Sequence, residues 1–109
     1  MQKRKKPVIY SEQFIQDITD IYFFGLETFG INQAEKYESF ILRMTDGLKY
    51  DYEMYPECRF LVTKGKIYRN IIFESHIIVY RIKKDTVEIL RIFHTSTSNT
   101  TKRTARNIR

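Results

Sequence analysis

Three arginines stand inside the alternating apolar segments of the second half of this 109-residue chain: Arg69, Arg81 and Arg91. His94 ends the last of these segments, and Lys64 and Lys66 flank Gly65 ahead of the first. Lys102 and Arg103 lie in the polar tail that follows. Cations on neighbouring strands suit contact with an anionic partner, through its phosphates or carboxylates. An imidazole such as His94 is of the type that serves as a general acid or base near neutral pH. Plainer readings stand beside these. Arg69 shares its parity with Ile67 and Ile71, so it can instead pair with Glu35 or Glu38, because a half-buried arginine needs a partner. Arg81 and Arg91 pose the same alternative. His94 can be an idle strand-end residue, and Lys64 and Lys66 solvated loop lysines. Tyr50, Tyr52 and Tyr55 can stack on bases or interdigitate beneath a loop. Cys58 has no nearby His or second Cys, no Gly-rich phosphate loop appears, and no Ser-His-Asp set appears. The residues imply no metal and no cofactor.

The elements that must position these groups follow from periodicity. Residues 6–10 (KPVIY) are short, β-branched and aromatic, and Pro7 puts this strand at an edge or at its own start. Ser11 then stands as a helix N-cap with Glu12 in the first turn. Phe14, Ile18, Ile21, Tyr22 and Gly25 repeat at helical spacing, which predicts a helix ending near residues 28–30. Asn32 with Glu35 has capping-box spacing and opens a second helix, striped by Ala34, Tyr37, Ile41, Met44 and Leu48. The short link makes the two helices an antiparallel hairpin. From Ile67 the period changes to two. Three strands joined at Glu74-Ser75 and at residues 83–85 form an antiparallel meander. The fold class is therefore α+β: an N-terminal strand, an α-helical hairpin, a three-stranded antiparallel meander and a basic C-terminal tail. Residues 1–94 read as one domain, and residues 95–109 as a polar tail that is mobile when alone. The sheet face away from the helices has only that tail to cover it and is expected as a binding surface.

Charge is segregated along the chain. Residues 1–6 carry four cations and no acid, residues 11–57 ten acids against three cations, residues 58–94 eight cations against three acids, and residues 95–109 four cations and no acid. The net charge of +6 is thus polarised, which steers an oriented encounter with an anionic partner. A composition 42% hydrophobic and 15% aromatic excludes a largely disordered chain. A single cysteine excludes a disulfide scaffold and favours a reducing compartment. No apolar run approaches a membrane span, so the chain is expected in the cytoplasm, without a membrane partner.

The segments VIYSEQFIQDITDIY, AEKYESFI, KGKIYRNIIFESHIIVYRI and DTVEILRIFH, in that order, resemble the RelE/ParE superfamily of toxins from type II toxin–antitoxin pairs, across roughly residues 8–94. The resemblance implies a small toxin wrapped and neutralised by an antitoxin segment. Two chemistries occur in the superfamily. RelE-like members are metal-independent ribonucleases that cut messenger RNA on the ribosome with clustered cations. Here Arg69 matches one cationic position, but Ile71 and Ile77 stand where others are common, and His94-Thr95-Ser96-Thr97 replaces an Arg-then-Tyr ending. ParE-like members are associated with inhibition of DNA gyrase, and VEILRIFH is closer to that branch.

The resemblance therefore implies a ParE-like growth inhibitor acting on a protein target, DNA gyrase, and neutralised by a cognate acidic antitoxin. A RelE-like endoribonuclease using Arg69 and His94, with ribosome and mRNA as target, is the alternative. An inactive basic module using its sheet face for nucleic acid is a further one. Lys64, Lys66, Arg69, Arg81, Arg91, His94, Lys102 and Arg103 are the candidates for target or antitoxin binding. Operator DNA is expected to be read through the antitoxin complex, with the basic tails assisting electrostatically.

Overall fold

The computed structural model describes residues 4–108; Lys3 and Arg109, which belong to the expected basic ends, lie outside the described residues. The elements run β1 (Val8–Tyr10), α1 (Glu12–Phe29), α2 (Ile31–Asp51), β2 (Tyr68–Phe73), β3 (His76–Ile82), β4 (Val87–His94) and α3 (Asn99–Arg103), followed by a 3₁₀ turn at Thr104–Asn107. The α+β order expected from the sequence is the observed one. The sheet order is β1-β4-β3-β2, with the last three strands forming the antiparallel meander. β1 takes an edge, as Pro7 suggested, and runs parallel to β4. No helix among the described residues is long and apolar enough to cross a membrane.

Ser11 joins the helical and sheet layers. Its Oγ accepts from the Phe14 amide (2.9 Å), capping α1, and donates to the Leu90 carbonyl (2.6 Å). Its own amide donates to the Ile89 carbonyl. The link from α1 to α2 is the single residue Gly30, at φ 90°, where an L side chain is strained. Its amide closes α1 on the Leu26 carbonyl and its carbonyl accepts from Ala34 in α2. The expected Asn32–Glu35 capping box does not form. The helix already starts at Ile31 and has no side-chain cap, because glycine makes the turn too short to need one.

One core lies between the hairpin and the sheet. Phe14, Ile18, Ile41 and Leu48 pack on Ile78, Tyr80, Val87, Ile89 and Ile92. A second core lies on the opposite face, where Ile77, Val79, Leu90 and Phe93 meet Cys58, Leu61 and Ala105. The expectation of an open sheet face and a mobile tail is therefore corrected. Residues 56–67 and the C-terminal helix cover that face, with Phe60 and Ile108 packed at its border. Lys102, 8% exposed, lays its stem in this layer, and its Nζ donates to the Thr95 carbonyl above the Phe60 ring. A lysine can serve as core in this way because its methylene stem is apolar.

β4 feeds both cores through a bulge. The register shifts between Val79 and Tyr80, which oppose Arg91 and Ile89 and leave Leu90 as the extra residue. Ile89 and Ile92 then point to the helices, and Leu90 and Phe93 away from them. Just past the bulge, β1 has ended and β4 lacks a neighbour on that side. Asp17 of α1 fills the gap: its carboxylate takes Arg91 in a two-pronged bond (2.7 and 2.9 Å) and accepts the Ile92 amide at 3.0 Å. The acidic segment thus supplies a partner for this arginine, as expected. Three charge-assisted bonds at a largely buried carboxylate carry stability. Asp17→Ala should cost about 2–3 kcal/mol in urea unfolding, since it also strands the guanidinium. Asp20→Ala, on the exposed side of the same helix, should cost under about 0.5 kcal/mol.

Candidate functional site

The strand arginines are committed to holding the fold. Arg69 lies on β2 opposite Tyr80, and its guanidinium donates to the carbonyls of Lys66 (2.9 Å), Tyr55 (2.8 Å) and Glu53 (3.2 Å), not to Glu35 or Glu38. It ties the loop before β2 to the strand. Arg81 is 8% exposed and donates to Glu88 across the ladder (2.7 Å), to Tyr68 Oη and to the Ile108 carbonyl (2.7 Å). The Glu88 carboxylate and the Tyr68 hydroxyl hold its guanidinium charged against the burial that opposes charge. Its partner comes from the adjacent strand and not from the acidic segment. Arg91 is held by Asp17 and lies over the Phe93 ring.

The remaining candidates scatter. Lys64, Lys66 and Arg103 are exposed, whereas Lys102 is buried. The loop carrying Lys64 and Lys66 is pinned, with Thr63 accepting from both the Ile67 and Lys66 amides and donating to Glu57. His94 is exposed, and its Nδ1 accepts from the Ser96 amide at 3.0 Å. Arg69 pairs with Tyr80 and His94 with His76. Those partners lie four residues apart on β3, about 13 Å at strand rise. A single reacting phosphate needs its acid–base group and its cation within hydrogen-bond reach, and this pair is not brought together. The tyrosines divide: Tyr52 is buried, its hydroxyl on the Arg4 carbonyl, and Tyr55 stacks edge-on to Tyr80. Tyr50 remains half exposed beside Lys5.

The built feature is a groove at the opposite end of the sheet, a cavity of about 690 Å³ between the α1–α2 link and the β2–β3 turn. Phe24, Phe29 and Phe40 line it, the first two 65% and 68% exposed. Gly25 faces Ala34 behind them, where a Cβ would make only an ordinary 3.5 Å contact with Ala34 Cβ. Tyr37 and His76 form the floor of the groove, backed by Phe73 and by His94, whose imidazole meets that of His76 edge-to-face at 5.8 Å across the ladder. Tyr37 Oη and His76 Nδ1 lie 2.6 Å apart. Burial, reinforced by Glu74, pushes the Tyr37 phenol up to about 12, so it stays protonated and donates. Burial, and then the neighbouring His94, lowers the His76 pKa, which favours the neutral imidazole as acceptor of the Tyr37 hydroxyl. Lys36, Glu38 and Glu74 stand at the rim. Chemically this is an apolar receptacle with a neutral hydrogen-bonded floor, fitted to side chains of a partner and not to a phosphate. Sequence reasoning overlooked His76 and Tyr37. The register between β3 and β4, which pairs His76 with His94, brings the two histidines together.

The profile of the family described as "ParE toxin of type II toxin-antitoxin system, parDE" matches residues 8–98, so this chain belongs to that family. Among solved structures, it is similar to a chain of the chromosomal ParDE toxin–antitoxin system from P. aeruginosa. The TM-score is 0.70 at 19% identity, covering 84% of this chain and 98% of that one. It is also similar to a chain of the toxin–antitoxin complex RelBE2 from Mycobacterium tuberculosis, with TM-score 0.59 and 15% identity over 83% of this chain and 91% of that one. At those identities the likeness is one of fold. No curated protein matches the sequence closely.

The lowered His76 pKa has a sign that can be checked. The unfolded imidazole titrates near 6.5, the folded one below it, so on acidification the unfolded chain takes up the proton first. Stability should therefore fall as pH drops from about 6.5 towards the folded pKa, and the loss should level off below that. Urea midpoints at pH 7 and pH 5 should differ less for His76→Gln than for the unsubstituted chain.

Proposed function

We propose that this chain arrests growth by binding a protein target, DNA gyrase, in the cytoplasm, and that a cognate acidic antitoxin neutralises it. Family membership supports a toxin of the ParE type. The observation that carries the choice of target class is the commitment of Arg69, Arg81 and Arg91 to internal partners. A ribonuclease built on clustered cations would need those side chains directed at a phosphate. The toxin–antitoxin system named for the ParDE structure and the toxin–antitoxin complex named for RelBE2 support an antitoxin partner for this chain as well. Its apolar side chains would seat among Phe24, Phe29 and Phe40. Its acidity would speed encounter with a chain of net charge +6. Reading of operator sequence belongs to the antitoxin.

Induction without the antitoxin tests the target. The expected outcome is growth arrest with relaxed plasmid DNA and intact mRNA. Cleaved mRNA with normal supercoiling would favour the ribonuclease alternative, and no arrest would leave only a binding module. Phe24 is exposed, so Phe24→Asp should fold normally while weakening antitoxin affinity at least about tenfold, as loss of an aromatic anchor does. Unchanged affinity in calorimetry would move the antitoxin off the groove.

A further inference from the structure

The segregation of charge along the chain becomes a segregation between the two sides of the sheet. The helical hairpin, residues 12–51, carries eight acids against Lys36, Arg43 and Lys49. The layer covering the other face, residues 56–67 and 95–108, carries six cations against one acid, Glu57, whose carboxylate accepts the Thr63 amide. Lys102 is buried to hold that layer down, but Arg59, Lys64, Lys66, Arg103 and Arg106 are exposed. None of these five forms an ion pair with another described residue. The two segments touch, since Phe60 and Leu61 pack in one cluster with Ala105 and Ile108. Five cations without an ion-pair partner therefore stand on two segments that meet in one core cluster.

We infer that this layer binds the phosphate backbone of duplex nucleic acid without reading its sequence. The form of the surface chooses the partner. An acidic peptide binds best along an open strand edge or in an apolar groove, where its backbone or side chains are fixed. Here the outer edge of β2 is already taken, the Cys58 amide bonding to the Tyr68 carbonyl and the Asn70 amide to the Pro56 carbonyl. The groove with the exposed phenylalanines lies elsewhere, towards the helices. Point charges spread over an exposed surface suit a polyelectrolyte, because each phosphate neutralised releases a condensed counterion. The inference is independent of the target proposed above. It assigns non-specific contacts to this chain and leaves sequence reading to its partner.

Fluorescence anisotropy on a labelled duplex of arbitrary sequence, titrated with salt, tests it. Two variants of equal net charge are compared: Arg59→Gln/Lys64→Gln/Arg103→Gln/Arg106→Gln in the layer, and Lys5→Gln/Lys36→Gln/Arg43→Gln/Lys84→Gln elsewhere. The layer variant should bind at least about tenfold more weakly at low salt, and its log–log salt slope should flatten by about 3–4, at roughly 0.9 for each phosphate left without its cation. The control should change less than about threefold. If the tail substitutions loosen the fold, as judged by thermal unfolding, Arg59→Gln/Lys64→Gln alone should flatten the slope by about 1.8. Absence of binding at low salt, equal losses in both variants, or competition by polyglutamate as effective as that by unlabelled duplex would each overturn the inference.

Discussion

A sheet whose strands are apolar on both faces must be covered twice, and this requirement shapes the whole molecule. β3 shows it most plainly: Ile77, Ile78, Val79 and Tyr80 are consecutive and all buried, alternating between two cores. One cover is a two-helix hairpin with ample apolar surface. The other is a loop and a short helix with little apolar surface of its own, so it borrows a lysine stem, an alanine and the rim of a phenylalanine. The cooperation of Arg81 with Glu88, Tyr68 and the Ile108 carbonyl follows from the same need. A guanidinium at the border of a thin layer can join strand to tail while keeping its charge satisfied.

Much of this was legible from residue order. The helix stripes, the Ser11 cap and the change of period at the meander are local signals, and local signals survive tertiary context. What escaped depends on pairings distant in sequence or on one residue's backbone. Asn32 and Glu35 match a capping pattern, but Gly30 at positive φ closes the turn first. Strict alternation in Val87 to His94 conceals the bulge that sends Leu90 and Phe93 to one face and Ile89 and Ile92 to the other. A tail of Thr, Ser, Asn and Arg shows no stripe, because only Lys102, Ala105 and Ile108 of it need to touch the core. The paired histidines become neighbours only once strand register is known.

The same packing bears on function. Arginines that read as a converging cationic site are drawn into the scaffold, each by a partner that the fold brings to it. Two surfaces stand out: an aromatic groove over the hydrogen-bonded Tyr37 and His76, and a basic layer with Glu57 as its one acid among the described residues. In this ParE-family chain the strand cations serve stability.

Everything distinctive here, from the polarity between faces to the burial of Lys102, requires the C-terminal segment to be docked. Amide hydrogen exchange of the free protein measures this directly. The Lys102 and Ile108 amides, bonded to the Ser98 and Ala105 carbonyls, should exchange well below unfolded-chain rates, in step with residues 58–61. Exchange across residues 95–108 at the rate of an unstructured peptide would mean that the second face is bare, and would contradict the account.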